Sequence, residues 1–245
     1  MNIIKSNLTQ LRNRGYIEDK DLLIYKKYTK KELIELLKSK VSIERTIAAK
    51  LLGNYKDEET MTSLIESLII EKKLYTKIAI TESISLFGEK ASESLIRYLG
   101  RIGSNQHKVL PDKPFNKNNY PLPRDIIART ICKIGVPALK ELKKCLYNGE
   151  YRQITEAIDA IGFISYYNNN HECFSVIIEL FIKYKNDDLM IWKLLRALQA
   201  FPNEKSIEIL IQYSNSKVNQ FQWEAKRSLK QIQRNQNKPL EKNIN

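Results

Sequence analysis

Helical periodicity along nearly the whole chain predicts an all-α protein built as a solenoid. Three observations carry that prediction. Apolar residues recur at i, i+3, i+4 and i+7 in one segment after another. Two segment types alternate for about six rounds. Strand-like alternation is scarce, and only 8 glycines occur in 245 residues.

The elements follow in order. Residues 1–28 read as a helical cap. The stretch "KKELIELLKS" puts Leu33, Ile34, Leu36 and Leu37 on one face, with Thr29 as its N-cap. A first segment type then recurs: "ERTIAAKLLG", "YTKIAITESISLFG", "RDIIARTICKIG" and "YRQITEAIDAIG", ending at Gly53, Gly88, Gly135 and Gly162. Glycine at those places suits a C-terminal helix stop. "LMIWKLLRALQAF" and "QFQWEAKRSLKQI" continue the series without the glycine. Each has a small residue near its middle: Ala48 and Ala49, Ala79, Ala128, Ala157, Ala197, Ala225. Small residues let a neighbouring helix approach closely. Between them lies an amphipathic set: "DEETMTSLIESLII", "EKASESLIRYLG", "VPALKELKKCLY", "HECFSVIIELFIKY" and "NEKSIEILIQYS". Stacked hairpins of these two types bury a continuous core over residues 29–233. Residues 234–245 read as a polar C-terminal tail.

"VPALKELKKCL" and "RDIIARTICKIG" resemble the two halves of a HEAT repeat. The similarity is greatest to the short HEAT-like repeats named after phycobilisome lyases, and covers roughly residues 29 to 232. Uneven spacing and two repeats without glycine depart from that pattern. The resemblance implies a right-handed α-solenoid of about six HEAT-like helical hairpins, used as a protein-interaction surface. It also implies that the first helix of each hairpin (A) lines the convex side and the second (B) the concave side. The glycine-ended segments resemble B helices.

Bulk composition narrows the function classes. No apolar run approaches the length of a membrane span, and the N-terminus lacks the apolar core of a signal peptide. The expected setting is cytoplasmic. Cys132, Cys145 and Cys173 are odd in number and isolated, so they read as reduced thiols in or near the core. The net charge of +13 favours anionic partners. It is also what Lys-, Asn- and Ile-rich codon usage produces without selection for binding.

Charge placement separates the two helix types. The six B-type segments sum to about +6; the six A-type segments, which are "TKKELIELLKS" and the five of the amphipathic set, sum to about −3. On the HEAT analogy the concave surface is basic, lined by Arg45, Lys50, Lys77, Arg124, Arg129, Lys133, Arg152, Lys193, Arg196, Lys226, Arg227 and Lys230. Two readings compete: a ligand surface, or solvated and inter-repeat charge, since an Arg early in a B helix often pairs with an acid of the next repeat. The ligand reading requires Arg129, Lys133, Arg196 and Lys226 to share a face.

One stretch breaks the periodicity. "RIGSNQHKVLPDKPFNKNNYPLPRD" holds Pro111, Pro114, Pro121 and Pro123 and separates an A-type from a B-type helix. A loop insertion over 101–123 exceeds the 12 to 15 residues beyond which loops are usually functional or disordered. Val109, Leu110, Phe115, Tyr120 and Leu122 supply anchors, and prolines lower the entropy of ordering them. "YPLPRD" runs extended until Arg124 or Asp125 opens the next helix. The expected arrangement is an ordered loop over the edge of the groove. It sets Lys108, Lys113, Lys117 and Arg124 beside Phe115 and Tyr120, a basic and aromatic mixture suited to phosphates or to acidic peptides. A plug filling an irregular repeat is the alternative.

Catalytic patterns are missing. No phosphate-cradling glycine loop and no metal-spaced histidine cluster occurs. His107 and His171 stand without a nucleophile or carboxylate constellation. HEAT-like alkylpurine DNA glycosylases carry paired tryptophans near an aspartate. Trp192 and Trp223 are distant in sequence and no aspartate lies in either context, so that class is a remote third reading. Both tryptophans sit early in B-type helices, suited to packing or to a concave contact. Nothing beyond the repeat points to a tetrapyrrole. The sequence therefore predicts a non-enzymatic scaffold without cofactor or metal. Its expected partner is an acidic protein surface, and sequence-independent nucleic-acid binding is the alternative. The expected contacts are Lys108, Lys113, Phe115, Lys117, Tyr120, Arg124, Arg129, Lys133, Arg152, Trp192, Arg196 and Lys226.

Overall fold

The computed structural model describes residues 7–236. Those residues form fourteen α-helices, three short 3-10 turns and no strand. The protein is all-α, as its periodicity predicts. The described chain divides between Leu95 and Ile96 into two compact units.

The first unit opens on α1 (Leu8–Arg12), α2 (Asp19–Leu22) and a 3-10 turn at Leu23–Lys27. These short helical elements occupy the described part of the stretch 1–28; residues 1–6 lie outside the described residues. Arg12 donates to both oxygens of Asp21, at 2.9 and 3.2 Å. The hairpins follow as α3 (Lys30–Leu36) with α4 (Ser42–Leu52), then α5 (Glu58–Ile70) with α6 (Leu74–Ser85). Thr29 caps α3 as expected. Its hydroxyl accepts from the Glu32 amide, and the Glu32 carboxylate accepts from the Thr29 amide at 2.7 Å. Helix α4 packs on α6 through Ala48 and Ala49, which are fully buried. Ser83 of α6 donates to the Ala49 carbonyl at 2.7 Å.

Gly53 corrects the simple view of a left-handed stop. Its φ is −57°, and a Cβ there would press on Ser83. Glycine is present for helix approach, not for handedness. Gly88, by contrast, has φ +61° just after α6.

Helix α7 (Glu89–Ile96) ends at the boundary between the units. The second unit holds α8 (Ile126–Ile134), α9 (Leu139–Asn148), α10 (Tyr151–Asn168), α11 (Phe174–Lys183), α12 (Asp188–Ala197), α13 (Glu204–Ser214) and α14 (Asn219–Gln236). The hairpin pairs are α9 with α10, α11 with α12, and α13 with α14. The B-type helices also form a row of their own, α8 on α10, α10 on α12 and α12 on α14. Ala128, Ala157, Ala197 and Ala225 are fully buried along that row, where small residues permit close approach. Gly135 ends α8 with φ +78°.

Two boundaries depart from the sequence expectation. Helix α10 does not stop at Gly162; it runs to Asn168 and ends on Asn169 with φ +49°. Helix α14 extends to Gln236, so residues 234–236 are helical; the rest of the expected tail, 237–245, lies outside the described residues.

A candidate ligand-binding site under the long loop

The irregular segment runs from the end of α7 at Ile96 to the start of α8 at Ile126, longer than expected at both ends. It is pinned near its entry, in its second half and at its end. At its entry Gly100, with φ +70°, lies against the Arg152 backbone so closely that a Cβ would overlap it. The Gln106 amide donates to the Ile102 carbonyl at 2.9 Å and to Asp125 Oδ2 at 2.7 Å, tying the loop's start to its end. Asp125 is the N-cap of α8 and accepts from the Ala128 amide. Burial pushes its carboxyl upward, and those hydrogen bonds oppose the shift.

Further along, Arg227 of α14 donates to the Asn119 carbonyl at 2.6 Å. Its guanidinium lies 4.9 Å from the centre of the Phe115 ring. Tyr120 is buried with its hydroxyl over Gly162 of α10. Pro121 and Pro123 are buried beside it, and Arg129 Nε donates to the Pro123 carbonyl at 2.5 Å. Two expected anchors are not anchors: Val109 is 73% exposed and Leu122 50% exposed.

Beneath the loop the B-type helices carry a ladder of buried ions. Lys193 Nζ of α12 donates to Glu156 at 2.8 Å and to Asp159 at 3.0 Å, both on α10. Arg196 of α12 donates to Glu224 of α14 at 2.9 Å, and Arg227 donates to the same carboxylate at 3.0 Å. One ammonium serves two buried carboxylates. Burial and the Asp159 charge raise Glu156 to about 7, against the pull of Lys193. In the first unit Arg45 pairs with Glu71 through two hydrogen bonds, at 2.7 and 3.0 Å. Arg45, Lys193 and Arg196 therefore belong to internal pairs rather than to an open basic surface. This removes part of the positive charge that a count along the B-type segments assigns to a groove.

Two adjoining cavities open between loop and helices. The larger, about 660 Å³, is lined by His107, Lys108, Arg124, Asp159, Trp192 and Arg196 among others. The smaller, about 330 Å³, includes Lys117, Trp223, Lys226 and Lys230. Lys113, Phe115 and Trp192 line both. Lys113, Lys117, Lys226 and Lys230 are exposed and make no ion pair among the described residues. Trp192 is buried in the wall, with the Arg196 guanidinium 4.0 Å from its ring centre and the His107 ring edge-on at 4.9 Å. Burial pushes His107 down to about 4; the Asp159 charge opposes this, while Arg196, Lys193 and Arg124 add to it. The imidazole is neutral at pH 7.

The expected contacts thus divide. Lys108, Lys113, Phe115, Lys117, Arg124, Trp192, Arg196 and Lys226 line the cavities. Arg129, Lys133 and Arg152 line neither, so the four residues required to share one face do not gather at one cavity. Tyr120, Trp192 and Arg196 are buried, not exposed on an open surface; Trp192 and Arg196 border solvent only where they line the cavities, and Tyr120 lines neither. Trp192 and Trp223, distant in sequence, meet at the smaller cavity. Asp159 joins Trp192 at the larger one. The three come from three successive B-type helices, which no local sequence context displays. His171 is exposed in the turn before α11 and lines neither cavity. Cys145 and Cys173 are buried free thiols, raised by burial to about 12 and about 11, and Cys132 is half-buried. No cluster able to hold a metal ion occurs among the described residues, nor any helix long and apolar enough to cross a membrane.

No protein-family model matches this sequence, and no curated protein matches it either. Among solved structures, an engineered protein is similar over 84% of this chain and 96% of its own, at 14% identity and a TM-score of 0.40. A designed armadillo repeat protein is similar over 82% and 98%, at 14% identity and a TM-score of 0.36. The alternation of helix types and their hairpin packing make this chain an all-α helical-repeat protein.

Proposed function

We propose that the protein is a non-enzymatic binding scaffold whose second unit receives an acidic segment of a partner protein. One observation carries this reading. Lys113, Lys117, Lys226 and Lys230, exposed and without an ion pair among the described residues, line one cavity mouth with Phe115 and Trp223. Cations beside aromatic rings suit a chain that alternates carboxylates with aromatic side chains. The loop is already ordered onto α10 and α14, so little ordering entropy opposes binding.

The same lysine and aromatic mixture favours a second reading, nucleic acid held by its phosphates with rings stacked on Phe115 and Trp223. Fluorescence anisotropy decides between them. The probes are a labelled peptide rich in glutamate and tyrosine, a random duplex and a random single strand, each titrated at several salt concentrations. Tighter binding of the peptide near physiological salt, lost in Lys113→Glu/Lys226→Glu/Lys230→Glu, supports the scaffold reading. Tighter binding of an oligonucleotide, weakening steeply with salt, replaces it with the second. Indifference of every probe to the triple substitution overturns both.

A further inference from the structure

The larger cavity differs in chemistry from the lysine-rich mouth beside it. Its floor is ionic but internally balanced, because Asp159 is held by Lys193 and Arg196 by Glu224. Each floor residue nevertheless keeps one unused polar atom. Asp159 Oδ2 accepts a hydrogen bond from Lys193 Nζ while Asp159 Oδ1 has no partner among the described residues; Arg196 donates to Glu224 through one terminal nitrogen while its Nε has none. Both side chains are more than nine-tenths buried. Buried polar atoms without partners are rare and costly, so such a floor calls for a ligand that satisfies it. The request is specific: one hydrogen-bond donor for Asp159, one acceptor for Arg196, and no net charge. The walls are flat and largely apolar, made by Leu110, Pro111, Pro114 and Pro121 with the edge-on His107 and Trp192. The rim is cationic. Lys108 and Arg124 are exposed without an ion pair among the described residues, and Lys113 joins them beside the single acid Asp112.

We propose that this cavity binds a nucleoside phosphate, with the donor and acceptor edge of the base on Asp159 and Arg196 and the phosphate at Lys108, Lys113 and Arg124. A nucleobase is the common planar, neutral group that presents a donor and an acceptor along one edge, and the phosphate matches the rim. A volume of about 660 Å³ accommodates a mononucleotide. This inference goes beyond the acidic-partner reading and does not rest on it. Lys113 borders both cavities, but Lys226 and Lys230 line only the smaller and Lys108 and Arg124 only the larger, so substitutions at those two pairs distinguish failure of one reading from failure of the other.

The test is titration of the full chain, in a Trp223→Phe background, with Trp192 fluorescence as the readout. Probes are the four nucleoside monophosphates, ribose 5-phosphate, inorganic phosphate and a short 5′-phosphorylated single strand. At least one monophosphate should change the Trp192 signal and bind ten-fold or more tightly than ribose 5-phosphate. Lys108→Ala/Arg124→Ala, both exposed positions, should weaken it about ten-fold without moving the melting temperature. Asp159→Asn should erase the preference among bases; should that variant not fold, His107→Gln reports on the same wall. Tighter binding of the oligonucleotide supports the site and names a strand end as the source of the nucleotide. Equal binding of ribose 5-phosphate or phosphate, no response at millimolar ligand, or indifference to the rim substitutions each overturns the proposal.

Discussion

The hydroxyl of Tyr120 lies over the Cα of Gly162, in the space that a Cβ at residue 162 would occupy. A residue of the irregular loop is thus seated in the middle of a buried helix. This contact fixes the loop between its hydrogen-bonded start at Gln106 and its capping end at Asp125. It also explains a glycine in the interior of α10, where helix propensity argues against it.

Gly162→Ala therefore destabilises the second unit. Overpacking costs about 1–3 kcal/mol and outweighs the roughly 1 kcal/mol that alanine gains in a helix. Tyr120→Phe alone should not lower the melting temperature, because the buried hydroxyl has no partner. Combined with Gly162→Ala, it should recover part of the loss. Thermal denaturation of the three variants checks all three signs.

Lys193→Met should be among the most damaging single changes, at about 3–5 kcal/mol, since it strands two buried carboxylates. Acidification should restore part of that loss, as the carboxylates then take up protons. Chemical denaturation at pH 8 and pH 6 reads this directly: the gap to wild type narrows at the lower pH.

Stability against pH should carry two opposed contributions. Glu156 has a folded pKa raised to about 7, above its unfolded 4.5, so its contribution is present below 4.5 and lost as pH rises to 7. His107 has a folded pKa lowered to about 4 from 6.5, so the folded state binds fewer protons between those values. Its contribution is present above 6.5 and lost as pH falls to 4. Glu156→Gln should make stability rise more steeply with pH in this window, and His107→Gln should make it rise less or fall. Denaturation midpoints at half-unit pH steps test the signs.

In the first unit, Arg45→Met should cost about 3 kcal/mol. It leaves Glu71 buried with only the Lys72 and Lys73 amides to satisfy it, and those keep the loss near the lower end for a broken buried pair. Amide exchange of α4 and α6 should accelerate, while that of α12 and α14 stays unchanged.

The helices were legible from periodicity because burial of one face imposes the same spacing wherever a helix packs on its neighbour. Thr29, Ala48, Ala128 and Gly135 announced a cap, close approaches and a stop, each a local requirement of the backbone. The loop, too, showed itself by its prolines. Which loop residues would anchor it did not. Val109 and Leu122 are as apolar as a core residue, yet only Tyr120 meets a helix with a glycine to receive it. Charges were the least legible. Lys193 and Lys226 read alike along the chain. The packing of α10 on α12 gives Lys193 two carboxylates and buries it, while Lys226 faces outward at a cavity. The sequence by itself determined the helical elements and their alternation, because those depend on neighbours three and four residues apart. Only the tertiary structure decided which charges are neutralised, which tryptophans meet and where the cavities lie, because those depend on contacts thirty to more than one hundred residues apart.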